Sequence, residues 1–266
     1  MGRETPKRVA VVTGGTKGIG FAIARNLGLS DIAVFICARD QDGINQSLTE
    51  LGSLGISCAG TIADMTTVDG IENCIQGVIK KFGSINYLIH NAGGAIGKGH
   101  ISELSDSNWI DTFSINVLAL VRLVALAKPF LISAKNSRVV NIGSINATEP
   151  GFLDPHYSSA KAAAANLVKY LSNDLAPYGV TVNSVSSGPV RTNSWETSIE
   201  DGARKRNISK NEFRNEIESE MESRIPLGEI GESSQIANLV SFLISEEARW
   251  ITGSNFRIDG GKSRAW

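Results

Sequence analysis

The chain has 266 residues, of which 42% are hydrophobic, and its 26 Lys and Arg nearly balance 27 Asp and Glu. This composition is typical of a globular protein and gives no basic patch for nucleic acid or a membrane surface. No apolar run approaches the roughly 20 residues of a bilayer span, and the N-terminus lacks the apolar core of a signal peptide. We therefore expect a cytoplasmic protein with no nucleic-acid or membrane partner.

Short segments rich in β-branched residues alternate with helical patterns along the chain. The predicted strands are Val9–Thr13, Ala33–Ala38, 57–62, 87–91, 138–142, 181–185 and Asn255–Ile258. The predicted helices are 20–28, 69–82, 109–134, 158–176 and Ser233–Ile244. Parallel strands joined by helices must be covered on both faces. The fold class is therefore α/β, a Rossmann-type doubly wound parallel sheet of about seven strands.

A glycine-rich loop, TGGTKGIG, follows the first predicted strand and opens the first predicted helix. Gly14 permits a sharp turn, Gly18 lets the backbone approach a pyrophosphate, and Gly20 lets the helix pack closely on the strand. The helix N-terminus favours the negative charge of a phosphate. The spacing GxxxGxG differs from the commoner GxGxxG and by itself also suits an ordinary tight turn. In this context it predicts nucleotide binding.

Tyr157 and Lys161 lie four residues apart, a spacing that on a helix puts the ammonium beside the phenol. The same spacing also occurs on ordinary solvated helices. An unperturbed tyrosine has a pKa of about 10, and a nearby positive charge lowers that pKa. We therefore expect Lys161 to lower the pKa of Tyr157. A shift from about 10 to about 7 would represent roughly 4 kcal/mol.

Five motifs together resemble the short-chain dehydrogenase/reductase family: TGGTKGIG, HNAG at 90–93, SINV, NIGSI and YSSAK. They occur in the family's order and spacing. The resemblance covers nearly the whole chain and implies a catalytic set of Asn116, Ser144, Tyr157 and Lys161. Tyr157 would give the proton and Ser144 would hold the carbonyl oxygen, where negative charge develops as hydride reaches carbon. Lys161 would also bond the nicotinamide ribose, and Asn116 would help hold a water chain.

The end of the second predicted strand indicates which cofactor is used. An acidic residue there would bind the adenosine ribose of NAD, but Ala38 stands at that position and Arg39 follows it. Arg39 suits a 2′-phosphate, and Lys17 matches the pattern of NADP-using relatives. The alternative is that both are surface cations, with Asp40 partly neutralising Arg39. We expect NADP(H).

The resemblance implies further cofactor contacts along the chain. Asp64, beside Met65, would bond the adenine amino group, while the Val190 backbone and Thr192 would bond the carboxamide. Ser187 replaces the proline that the family usually has, which loosens a turn beside the nicotinamide. The complete expected set of cofactor-binding residues is Gly14, Thr16, Lys17, Gly18, Ile19, Gly20, Arg39, Asp64, Met65, Asn91, Gly93, Tyr157, Lys161, Val190 and Thr192.

The segment 195–224 is dense in charge and interrupts the alternation of strands and helices. Most of its charges suit a solvated helical face. An apolar side formed by Trp195, Ile199, Phe213 and Ile217 would let it act as a mobile lid over substrate. No linker or repeat divides the chain, so we expect one domain over 1–266. Within it we expect a core at 8–190, a lid at 194–225, and a last helix and strand at 226–266.

The remaining cysteines and histidines do not indicate a metal. Cys37, Cys58 and Cys74 have no CxxC spacing and are expected to be buried free thiols. The histidines are scattered. We expect His90 to be packed at a strand end and His100 to lie in an exposed loop. His156 would line the substrate entrance without replacing Tyr157 as the proton donor.

The predicted function is NADP(H)-dependent reduction of a small-molecule ketone to a secondary alcohol. Two alternatives remain: an NAD(P)-dependent alcohol or diol dehydrogenase that works in the oxidative direction, and a non-catalytic nucleotide-binding relative. The intact Ser144, Tyr157 and Lys161 argue against the second. In the family, the helices at 109–134 and 158–176 pack against a second subunit, which predicts a homodimer or homotetramer.

Overall fold

The computed structural model describes residues 8–264. The segment 1–7, on which the expectation of no signal peptide partly depends, and residues 265–266 lie outside the described residues. Seven parallel strands form the main sheet. They are β1 (Val9–Thr13), β2 (Ala33–Ala38), β3 (Cys58–Ile62), β4 (Tyr87–His90), β5 (Arg138–Ser144), β6 (Thr181–Ser187) and β9 (Asn255–Ile258). Two further short strands, β7 (Val190–Arg191) and β8 (Gly231–Glu232), pair with each other.

Helices cover both faces of the sheet. They are α1 (Gly18–Leu29), α2 (Gln41–Ser53), α3 (Val68–Phe82), α4 (Asp106–Phe113), α5 (Ala119–Ala134), α6 (Pro155–Leu175), α7 (Asn193–Arg206), α8 (Lys210–Glu222) and α9 (Ser233–Ile244). Because side chains alternate along a strand, Val9 and Val11 join the core under α3, α5 and α6. Ala10 and Val12 join the core under α1, α2 and α9.

The predicted fold class is confirmed, and all seven predicted strands belong to the main sheet. The sheet order is β3-β2-β1-β4-β5-β6-β9, so the order reverses between β1 and β4. In such sheets the ligand crevice lies at the carboxyl ends of the strands, beside the reversal. β5 and β6 run further than predicted, to Ser144 and Ser187, and so bring both hydroxyls to that edge.

The prediction of one continuous helix over 109–134 is wrong. A π-helical turn at Ser114–Leu118 separates α4 from α5. Within this turn the buried Asn116 donates from Nδ2 to the Thr112 carbonyl at 2.8 Å and to the Gly94 carbonyl at 2.8 Å. Such single π turns are frequent at functional sites.

The stretch Asp106–Ala134 is long and apolar enough, by length and composition, to cross a membrane. In the structure, Leu120, Leu123 and Leu131 of α5 are fully buried in the core beside α3 and the sheet. A helix that covers a sheet needs this composition, so the stretch is weak evidence for a membrane span.

The charged segment forms the α7–α8 hairpin, residues 193–222. Ile199 is buried, while Trp195, Phe213 and Ile217 are half-buried. Arg214 Nη2 lies 2.5 Å from Glu196 Oε2 and so joins the two helices. The hairpin therefore has the apolar side expected of it and also an ionic connection between its helices.

The three cysteines are free thiols. Cys37 and Cys74 are buried, as expected. For Cys58 the expectation is wrong, because the first residue of β3 is only half-buried and its thiol donates to the Leu48 carbonyl.

Candidate active site

A cleft of about 730 Å³ opens at the carboxyl ends of β1, β2, β4 and β5, where the glycine loop begins α1. Gly14 and Gly18 have φ of 62° and 53°, in the left-handed region that favours glycine. A Cβ on Gly20 would lie 2.2 Å from the Gly14 carbonyl oxygen and 2.4 Å from Asn91 Nδ2. The loop is thus a backbone cradle that side chains would fill, at a helix N-terminus suited to phosphate.

Asn91 connects this cradle to the end of β4. Its Nδ2 donates to the carbonyls of Thr13 at 2.9 Å and Gly14 at 3.1 Å. The Thr13 hydroxyl in turn accepts from the N–H groups of Asn91 and Ala92. The HNAG motif therefore fixes the glycine loop against the neighbouring strand end.

One end of the cleft carries two exposed cations, Lys17 and Arg39. Asp40 follows Arg39, but its carboxylate accepts from the N–H groups of Asp42 at 3.3 Å and Gly43 at 3.0 Å. Asp40 therefore caps α2. This arrangement argues against the alternative that Asp40 neutralises Arg39.

At the other end of the cleft, Lys161 of α6 is buried and donates from Nζ to the Ile142 carbonyl at 2.9 Å. Its Nζ lies 5.6 Å from the centroid of the Tyr157 ring. A Cβ on Gly93 would lie 2.7 Å from Asn116 Oδ1 and 3.2 Å from Lys161 Nζ. Gly93 therefore allows the cofactor loop to approach both polar side chains.

The phenol of Tyr157 lies beside the Ser144 hydroxyl. Burial raises the pKa of Tyr157, the hydrogen bond from Ser144 lowers it, and the charge of Asp154 raises it further. Burial lowers the pKa of Lys161 to about 8. The expected lowering of the Tyr157 pKa by Lys161 is therefore not found, because burial outweighs the other influences on the phenol.

Two other sequence expectations concern residues behind the cleft. The Asn116 amide is held by backbone groups, since Oδ1 accepts from Gly94 N–H at 3.2 Å. His156 is fully buried, with Nε2 2.9 Å from the Ile96 carbonyl oxygen and its ring against Trp109. It does not line an open entrance, whereas His90 is packed at a strand end and His100 is exposed, as expected.

The structure brings most of the predicted site together. The cleft is lined by Gly14, Thr16, Lys17, Gly18, Ile19, Gly20, Arg39, Asp64, Met65, Asn91, Gly93, Tyr157, Lys161 and Thr192. Val190 instead lines a smaller cavity beside β8. The sequence reasoning missed Asn193 and Ser194, which also line the cleft. Both residues directly follow Thr192, a predicted site residue, and this position could have indicated that they also face the cleft.

Residues 8–203 match the short chain dehydrogenase family. The chain belongs to this family. The match begins just before β1 and includes both the glycine loop and the YSSAK motif, so the resemblance found in the sequence is confirmed.

The chain is similar to several curated relatives along almost its whole length. A putative ketoacyl reductase of Streptomyces coelicolor is 32% identical, covering 95% of this chain and 96% of the relative. Tropinone reductase-like 3 of Erythroxylum coca is 33% identical, covering 98% and 95%. Dehydrogenase/reductase SDR family member 4 of Homo sapiens is 30% identical, covering 98% and 90%.

Solved structures show the same similarity. A variant of actinorhodin polyketide ketoreductase with NADPH is 31% identical with a TM-score of 0.89, covering 97% of each chain. L-sorbose reductase from Gluconobacter frateurii, complexed with NADPH and L-sorbose, is 25% identical with a TM-score of 0.92, again covering 97% of each chain.

Proposed function

We propose that this protein reduces a small-molecule ketone to a secondary alcohol with NADPH. The observation that carries the proposal is that Tyr157 and Lys161 line one end of the cleft that begins at the glycine loop, with Ser144 bonded to Tyr157 just behind the cleft lining. The ketoacyl reductase relatives and the NADPH complexes of similar structures support it.

NADPH would supply the hydride, and the protein supplies the groups that receive the carbonyl oxygen. Tyr157 would donate a proton to that oxygen, since a phenol is protonated at neutral pH. The Ser144 hydroxyl accepts from Asn146 N–H at 3.2 Å, and its one proton, which serves Tyr157 in the absence of substrate, would turn to the carbonyl oxygen when substrate binds. Two donors aimed at one oxygen stabilise the charge that develops there.

Lys161 supports this pair from behind. Its ammonium is fixed on the Ile142 carbonyl and faces the cleft beside Tyr157. A positive charge near a phenol favours the phenolate, although burial dominates the pKa of Tyr157 here. Through its other protons Lys161 would hold the nicotinamide ribose, while Asn116 keeps the loop after Gly93 in place and would help to hold a water chain. The Val190 backbone and Thr192 would bond the carboxamide.

The preference for NADPH follows from Arg39 and Lys17. Both are exposed at the adenosine end of the cleft, and Asp40 is occupied in capping α2. A guanidinium is well suited to two parallel hydrogen bonds with a phosphate. Asp64 lies in the same end of the cleft, beside the buried Met65, and would bond the adenine amino group.

We extend the proposal to the assembly and location of the protein. α5 exposes Val121 and Leu126, and α6 exposes Tyr170, which supports packing against a second copy as a dimer or tetramer. The chain would act in the cytoplasm as one domain, with its core at 8–190, a lid at 194–225 and a final helix and strand at 226–266.

The test is a screen of carbonyl compounds that follows NADPH oxidation by absorbance, run in parallel with Tyr157→Phe. This change removes one hydroxyl, so NADPH affinity should stay within about twofold while turnover falls by about two orders of magnitude or more. Direct titration with NADPH separates the two effects. Turnover near the wild-type rate in Tyr157→Phe would rule out the proposed proton donor.

A further inference from the structure

The glycine loop forms one hydrogen bond that leads out of the cofactor cradle. Gly18 N–H donates to Asn193 Oδ1 at 3.1 Å, joining residues 175 positions apart in the chain. Gly18 begins α1, and Asn193 begins α7. The N–H groups at the start of α1 are those that a diphosphate takes when it binds at a helix N-terminus.

The contact at Gly18 continues into the start of the α7–α8 hairpin. A Cβ on Gly18 would lie 3.3 Å from Thr192 Cβ, so the two backbones pass close together. Thr192 caps α7 by accepting from Trp195 N–H at 3.2 Å. Whatever binds Gly18 therefore affects the first turn of α7 directly.

One N–H proton serves one acceptor well, and both the Asn193 amide oxygen and a phosphate oxygen are acceptors. We propose that Asn193 competes with the cofactor diphosphate for Gly18 N–H, so that cofactor binding breaks the hydrogen bond that joins the glycine loop to α7. A bond to a charged phosphate is roughly twice as strong as one to a neutral amide, so the diphosphate wins. The inference rests on the proposed use of NADPH.

The hairpin itself stays in place when this bond breaks, because other contacts hold it. Trp195 Nε1 donates to Glu218 Oε1 at 3.2 Å, and Arg214 Nη2 lies 2.5 Å from Glu196 Oε2, so the first turn of α7 is joined to α8. Arg191 Nη2 lies 3.0 Å from Glu218 Oε2, which joins α8 to β7. Cofactor binding therefore frees the Asn193 amide from Gly18 while α7 and α8 stay attached to each other.

Two substitutions at one position separate competition from a structural role. In Asn193→Ala the competing oxygen is gone, so NADPH should bind about three- to tenfold more tightly, the effect of one net hydrogen bond. In Asn193→Asp an isosteric carboxylate still accepts from Gly18 and repels the diphosphate, so binding should weaken by about tenfold or more. An aspartate in the first turn of α7 suits the helix dipole, so this variant should fold.

Asn215→Ala is the matched control, because Asn215 is an exposed asparagine of the same hairpin. NADPH affinity should equal that of the wild type in this variant. Adenosine 2′-monophosphate, which has no diphosphate, should bind the wild type and both Asn193 variants equally. If Asn193→Ala binds NADPH no more tightly than the wild type, the competition is refuted.

Failure of the wild type to bind NADPH at all would have a different meaning, since it would refute the proposed function and not the competition alone.

Discussion

His90, one residue before the Asn91 that holds the glycine loop, should make the protein sensitive to mild acid. Its ring is 1% exposed, and Nδ1 lies 2.9 Å from Asn141 Oδ1. Burial lowers the pKa of His90 from 6.5 to about 4; the Asn141 hydrogen bond opposes this, and the charge of Lys161 adds to it. Between these two pH values the unfolded chain binds a proton that the folded chain does not. Stability is therefore fully present above pH 6.5 and falls as the pH approaches 4.

The size of the effect follows from the shift. A difference of about 2.5 units corresponds to about 3.4 kcal/mol, of which about 2.5 kcal/mol is lost between pH 7.5 and 4.5. His90→Asn removes the titration and leaves an amide nitrogen that reaches Asn141. Urea unfolding at steps between these pH values should show the wild type losing about 2.5 kcal/mol more than this variant.

His100→Asn is the control, because His100 is exposed in a loop. Its stability should follow pH in parallel with the wild type. Parallel curves for His90→Asn and the wild type would refute the reasoning, since they would mean that the buried imidazole takes up a proton as readily as in the unfolded chain.

Three other expectations concern the cofactor, the assembly and the lid. Arg39→Ala should weaken NADPH binding by about 1.5–3 kcal/mol, the range for a charge-assisted hydrogen bond, and leave NADH binding nearly unchanged. Titration decides this, with Arg25→Ala on the exposed side of α1 as the control; equal losses for both cofactors would make Arg39 structural. Light scattering at micromolar concentration should give a dimer or tetramer, and a monomeric mass would contradict this. Amides of 194–225 should exchange more slowly with cofactor and substrate both bound than with neither, and strong protection without ligands would indicate a fixed subdomain.

Local patterns predicted most of the fold. β1 and β2 have the predicted bounds, because runs of β-branched and other apolar residues between turn signals specify buried parallel strands. The glycine loop was predictable because Gly14 and Gly18 adopt a backbone conformation that favours glycine and Gly20 has no room for a side chain.

Features that depend on contacts distant in sequence were not predictable. The π-helical turn contains Asn116, whose amide bonds to the backbone of Gly94, 22 residues earlier in the chain. The spacing of apolar residues along a helix gives no sign of such a contact. The pKa of Tyr157 depends on how deeply the phenol is buried, and helical spacing from Lys161 gives no measure of that. The bond between Gly18 and Asn193 requires β1 and β7 to be placed in three dimensions.

The two ends of the cleft differ in how freely their residues can be changed, and Gly93 lies at the more restricted end. A side chain there would push against Asn116 Oδ1 and Lys161 Nζ at once, so a change made at Gly93 would reach both of these buried polar groups. Arg39 and Lys17 lie at the other end on exposed surface, where residues can be exchanged without disturbing packing. Cofactor preference is therefore open to engineering, while the loop at Gly93 must be kept as it is.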